Sequence, residues 1–158
     1  MGIFLQFGSI LGDVEDAGHT NWIDLQSVNW SLSRPVSNPA GSSAGQVLSA
    51  PQLSQLSVTK QQDVATIPLI QAALQGAPVG AQIDFCTTGS GQQQVYYSIV
   101  LKNVVITAFS QTGADGRPVE SVTLNFTQIS FTGTQMDADG SAASPASYGW
   151  NISTNQAT

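Results

Sequence analysis

The stretch Val95-Tyr96-Tyr97-Ser98-Ile99-Val100-Leu101-Lys102-Asn103-Val104-Val105-Ile106-Thr107-Ala108-Phe109 reads as one long strand whose apolar side chains change sides midway. Val95, Tyr97, Ile99 and Leu101 share one parity; Val104, Ile106 and Ala108 share the other. Successive strand residues point to opposite faces, so a change of phase requires a bulge, a sharp coil or passage from one sheet to another. Two further segments behave in the same way. In Trp22 to Ser33, Ile23 and Leu25 give way to Val28, Trp30 and Leu32, which places a bulge near Gln26-Ser27. In Val119 to Thr132, Val122, Leu124 and Phe126 give way to Ile129 and Phe131. Flat sheets need no such shifts, whereas a sheet curling into a barrel does. The expected fold is therefore mainly β: a two-sheet β-barrel, with residues 1–158 forming a single domain.

Working outward, Met1 to Phe7 is a short apolar run, Gly8 to Thr20 a loop, and Leu53, Leu56 and Val58 suggest a strand ending at Lys60. Ile83, Phe85 and Cys86 mark another strand, and Gly89-Ser90-Gly91 a hairpin turn leading towards Val95. One short helix is expected over Thr66 to Gln75. Thr66 is placed to cap it, Pro68 falls in the first turn, where its missing N–H costs nothing, and Gly76 stops it. Ile67, Ile70, Ala73 and Leu74 recur at helical spacing and are assigned to the core. Residues 34–51, with three prolines and few apolar side chains, read as a long exposed loop, uncommon in a compact domain and usually either functional or disordered there. The tail 136–158 is loop-like apart from a short pattern at Tyr148, Trp150 and Ile152.

Charge narrows the function classes. Ten acids against four bases give a net charge of -6, and only 9% of the 158 residues are charged. Arg34, Lys60, Lys102 and Arg117 are scattered, which argues against nucleic acid and against an anionic membrane surface. No apolar run approaches the roughly 20 residues of a membrane span, and Met1 to Phe7 lacks the basic start of a signal peptide. A lone cysteine, Cys86, fits synthesis in a reducing cytoplasm. Ser, Thr, Gln and Asn replace ionised groups, and such a surface costs less to desolvate in protein contacts.

Reactive chemistry finds little support. The one histidine, His19, lies in a loop without a nucleophile turn elsewhere, and is read as solvated. Asp13, Glu15 and Asp16, and Asp137-Ala138-Asp139-Gly140, form acidic turns that lack the remaining ligands of a calcium loop. One Cys and one His cannot complete a zinc site. No catalytic residue, metal or cofactor is assigned. Cys86 is read as a small buried hydrophobe, and Trp22, Trp30 and Trp150 as core or interface anchors. A carbohydrate-binding β-sandwich using a tryptophan and the acidic loops, and a small hydrolase using His19, are the competing readings.

The order of segments resembles the haemolysin-coregulated protein family, the tube proteins of bacterial type VI secretion. The likeness is carried by Gly12-Asp13, by His19 to Val36 around Trp22-Ile23-Asp24-Leu25 and Trp30-Ser31-Leu32-Ser33, and by Leu56-Ser57-Val58-Thr59-Lys60. It continues through the helix ending at Gly76, Tyr97 to Ile106, Val119 to Phe126, and Gly149-Trp150-Asn151-Ile152 with Asn155. The resemblance implies six copies closing into a ring and rings stacking into a hollow tube. A contractile sheath would expel that tube, a spike would ride at its tip, and effector cargo could occupy the lumen. It also implies synthesis in the bacterial cytoplasm and export by the machine. The long loop corresponds to the family's extended loop that reaches a neighbouring ring, which assigns ring stacking to Arg34, Pro35, Val36, Ser37, Asn38, Gly41, Gly45 and Val47. A tail tube of a phage or of an extracellular contractile particle would share this barrel and ring. In one respect the chain departs from the family: the helix Ile67 to Gln75 carries no charge, so subunit contacts are expected to rest on apolar and neutral groups.

Overall fold

In a computed structural model the described backbone comprises residues 1–38, 40–41, 45–89, 92–135 and 144–158. In chain order the elements are β1 (Gly2–Phe7), β2 (Ile23–Leu25), β3 (Ser27–Asn29), β4 (Leu32–Ser33), β5 (Val36–Ser37), β6 (Val47–Leu48), β7 (Gln52–Leu53) and β8 (Leu56–Gln61). They continue with α1 (Thr66–Gln75), β9 (Val79–Gly89), β10 (Gln92–Thr112), β11 (Val119–Asn125), β12 (Gln128–Gly133), β13 (Ala146–Asn151) and β14 (Gln156–Ala157).

The long strand read from Val95 to Phe109 is β10, and it serves both sheets. Its first part pairs with β9 and β12, its last part with β11. The phase change falls where the β9 register shifts between Leu101 and Val104, and Asn103 there takes a left-handed conformation with φ 54°. A second shift, between Val95 and Tyr97, lies near the strand start. One sheet runs β14-β13-β12-β10-β9-β1-β2 and the other β10-β11-β8-β3, all antiparallel. β2 and β3 are consecutive pieces of chain separated by Gln26, whose N–H bonds Thr59 O at 2.7 Å. The expected bulge near Gln26-Ser27 is thus the corner where the chain leaves one sheet for the other. The third slip has a different form. Val119 to Thr132 is two strands broken at Phe126-Thr127, β11 in one sheet and β12 in the other.

The core fills the space between the sheets. Leu5, Ile23, Ile83, Ile99, Leu101 and Ile129 face Leu56, Val58, Val122 and Leu124, all essentially removed from water, each contributing about 1.5–3 kcal/mol. α1 spans the expected residues but presents the other side. Leu69 is buried, while Ile67 and Leu74 are 64% and 81% exposed, so two of the four residues assigned to the core face outward. Thr66 does not cap the helix. Its hydroxyl donates to Glu120 instead, and the turn before the helix is closed by Asp63, whose Oδ1 accepts from Ala65 N at 2.9 Å. Gly76 ends the helix through close approach rather than a left-handed turn: a Cβ there would lie 2.5 Å from Ala72 O.

The tail departs from its expected loop-like form. Residues 146–151 pair along β12, from Gly133↔Ala146 to Gln128↔Asn151, and 156–157 return against them. The free edge of β12 recruits a segment whose own alternation, Tyr148 and Trp150, is too short to declare a strand. Ser90 and Gly91 of the expected hairpin, and the acidic turn Asp137 to Gly140, lie outside the described residues.

Candidate assembly surfaces

Residues 32–53 form an arm. Its base is a two-pair ladder, Leu32↔Leu53 and Ser33↔Gln52; farther out Val36↔Leu48 and Ser37↔Val47 make a second. Between them Arg34 Nε donates to Ser49 O at 2.9 Å, and Pro35 O accepts from Ser49 N at 2.8 Å. Of the residues assigned to ring stacking, Arg34, Pro35, Val36, Ser37, Asn38, Gly41, Gly45 and Val47 are all exposed. Gly41 and Gly45 have φ of 80° and 72°, conformations that favour glycine; Pro39 and residues 42–44 of the loop lie outside the described residues. The arm is less featureless than its sequence suggests. Leu32, Val36, Val47 and Leu48 are each about half exposed, which makes an apolar strip at the surface.

A second apolar surface lies on α1 and the turn before it, where Ile67 and Leu74 of the helix and Val64 of the turn are all exposed. Apolar residues all round a helix signal that both sides are covered in use. Around a third surface, a groove of about 460 Å³, stand Asp13, Asp16, Asp24 and Asp63 with Arg117. Asp24 has its pKa raised above the ordinary carboxylate value, first by partial burial and then by the charge of Asp63. Among the described residues no group of three or more potential ligands is placed to hold a metal, and no helix is long and apolar enough to cross a membrane.

The expected solvated histidine is a correction. His19 is only 4% exposed, because the Gly8 to Thr20 loop folds back over β1 and β9. Its Nδ1 lies 2.9 Å from Asp16 Oδ2 and its Nε2 2.9 Å from Asp84 Oδ2. Each of these carboxylate oxygens can accept from a ring N–H. Phe4 packs on the ring and Trp22 meets it edge-on. Gly12 is needed in this loop because a side chain there would strike the Trp22 backbone. Cys86 Sγ stands 3.9 Å from His19 Nε2. The arrangement is the opposite of an activated thiolate, since Cys86 is fully buried and its pKa is pushed up to about 11, by burial first and then by Asp84 and Asp16.

A second buried polar cluster escaped the sequence reading. Lys60 and Glu120, both 0% exposed, meet at 2.7 Å across β8 and β11. Lys60 Nζ also reaches Asp63 Oδ1 and Gln61 O, each at 2.8 Å; Thr66 and Gln111 donate to the two Glu120 oxygens. A signal existed: Lys60 shares parity with Leu56 and Val58, and Glu120 with Val122 and Leu124, so two opposite charges stand on the apolar faces of two strands.

A family model described as "Type VI secretion system effector, Hcp" matches residues 4–132. The chain belongs to the haemolysin-coregulated protein (Hcp) family. Protein hcp1 of Pseudomonas aeruginosa is 32% identical over 157 residues, covering 97% of this chain and 96% of that protein. Among solved structures, one titled "Structure of a type six secretion system protein" superposes with a TM-score of 0.90 at 22% identity, covering 99% of each chain. Hcp1 from Salmonella typhimurium gives 0.78 at 18% identity, covering 99% of this chain and 98% of the other. At such identities these structures establish the fold, a two-sheet Hcp barrel with one short helix; the family match establishes the functional class. The chain is a structural tube subunit of type VI secretion.

Proposed function

We propose that six copies of this Hcp chain close into a ring, that rings stack into the inner tube of the secretion machine, and that the arm carries the contact between rings. The observation that supports this most is the arm itself. A segment that the sequence leaves rich in Pro, Gly and Ser nonetheless ends in an apolar strip at Val36, Val47 and Leu48, held away from its own core. Exposed apolar surface of this kind marks a protein contact. Arg34, Pro35, Ser37, Asn38, Gly41 and Gly45 shape and position the strip. The tube is made in the bacterial cytoplasm and leaves with the machine, inside a contractile sheath and beneath a spike, and its lumen can hold effector cargo. The chain works by assembly and not by catalysis: His19 has both nitrogens engaged, and Cys86 is buried with a raised pKa.

Removing residues 38–45 tests the role of the arm. The shortened chain should keep its far-ultraviolet spectrum and ring mass but lose stacks in negative-stain images, because none of the described residues of that segment belongs to the buried core. Loss of the folded subunit on this deletion would refute the assignment.

A further inference from the structure

A concave apolar surface lies where the base of the arm meets the β12–β13 wing. Trp30, Leu32 and Leu53 form one wall and Phe131, Tyr148 and Trp150 the other, around a space of about 330 Å³. Its floor is stiff. Trp30 stacks on Phe131 with centroids 5.1 Å apart, and Phe131 lies nearly parallel to Tyr97 at 6.5 Å. The rim is open, since Leu32 and Tyr148 are each 58% exposed. Among the described residues Arg34 is the one charged residue lining it, and no carboxylate does.

We infer that this groove receives the Val36–Val47–Leu48 strip from the arm of a second copy of this chain in the adjoining ring. The inference rests on the tube-subunit reading and names the surface on which the arm docks. The strip does not fill its own groove. Arg34 already lines the rim, and Val36 stands four residues beyond Leu32, roughly 13 Å along an extended chain, so the arm leads outward from the groove it helps to build. Among the described residues its outer ladder has two residue pairs and joins no larger sheet. Ribbons of that length are marginal in water and gain order from contact with an apolar surface.

Charge selects the partner. A chain with a net charge of -6 repels copies of itself wherever acidic surfaces meet. From Pro35 to Leu53 the arm has no charged residue at all, so inserting it desolvates no ion and opposes no like charge on the strip. Strip and groove are different patches, which makes the contact heterologous and able to propagate from ring to ring. The exposed stripe on α1 is the rival receiver, but it is convex and encloses less of an incoming ribbon.

Two cysteines in the full-length chain test the assignment, the native Cys86 being buried. In a Leu48→Cys/Tyr148→Cys variant, oxidation of stacked rings should give chains linked through disulfides, and isolated rings at low concentration should not. A Leu48→Cys/Leu74→Cys variant reports on the helix stripe. In a second experiment, Leu48→Asp rings and Tyr148→Asp rings should each fail to stack alone. Mixed, they should give pairs of rings, because one variant keeps an intact groove and the other an intact arm. Both substituted side chains are exposed, so ring mass should be unchanged. Stacks that form normally without 48–148 links, or that link 48 to 74 instead, overturn the groove assignment and leave the tube reading standing. Links formed within isolated rings also overturn it. An unmodified chain that forms no rings removes both.

Discussion

Lys60→Met should be among the most damaging single changes in this protein, although it adds no bulk and lies far from the arm. Lys60 Nζ holds Glu120 Oε1 at 2.7 Å, Asp63 Oδ1 at 2.8 Å and Gln61 O at 2.8 Å, and Thr66 Oγ1 stands 3.4 Å away. Without the ammonium, the Glu120 carboxylate stays fully buried with only the Thr66 hydroxyl at 2.8 Å and the Gln111 amide at 2.7 Å. An orphaned buried charge of this kind costs about 3–5 kcal/mol. With an m-value of ~2 kcal/mol/M, that lowers the urea midpoint by about 2 M. Replacing both partners, Lys60→Met with Glu120→Leu, should recover part of the loss, leaving about 1–3 kcal/mol for the donors on Thr66 and Gln111 that lose their acceptor. The assay is equilibrium urea denaturation at one fixed subunit concentration, so that assembly contributes equally to every variant. A Lys60→Met chain within 1 kcal/mol of the parent, or a double variant worse than the single one, would refute the reasoning.

Further expectations follow from the same geometry. His19→Gln removes the bridge between Asp16 and Asp84 and should cost about 1–3 kcal/mol; hydrogen exchange should show the Val14 and Asn21 amides, which pair within that loop, losing protection before the sheets do. Cys86 should resist thiol reagents at pH 8 in the folded chain, since a pKa of about 11 leaves little thiolate, and should react at once in urea. Its raised pKa also means that the unfolded chain loses this proton first, so the thiol should erode stability as pH rises from about 9 towards 11. Six subunits of -6 carry -36 formal charges, so ring stacking should improve from low to moderate salt as the Debye length shortens to roughly 8 Å; light scattering that falls steadily with added salt would point to ion pairs across the stack.

The barrel was legible because its corners are written as phase changes. Gln26 and Asn103 sit where the apolar parity of a continuous strand must flip. The flip near Phe126 looked the same in sequence but is a break between strands, since parity records a change of face and not the backbone route to it. The helix was legible in extent and not in rotation. Ile67, Ile70, Ala73 and Leu74 repeat at helical spacing, yet so do Leu69, Ala72 and Ala73, and the choice is made by Thr66 turning inward to Glu120 on a strand 54 residues away. The arm announced itself by its prolines and glycines, but two-residue ladders carry no period, so the pairing of Val36 with Leu48 was invisible. The burial of His19 left no local trace, because its partner Asp84 lies on the outward parity of β9, between Ile83 and Phe85, where the returning loop brings the ring against it.

Native mass by multi-angle light scattering on the purified full-length chain, with negative-stain images of the same fraction, bears most directly on the account. The expected particle has six subunits, six times 16.5 kDa, appears annular and joins end to end as concentration rises. A monodisperse monomer at every concentration and salt would contradict it.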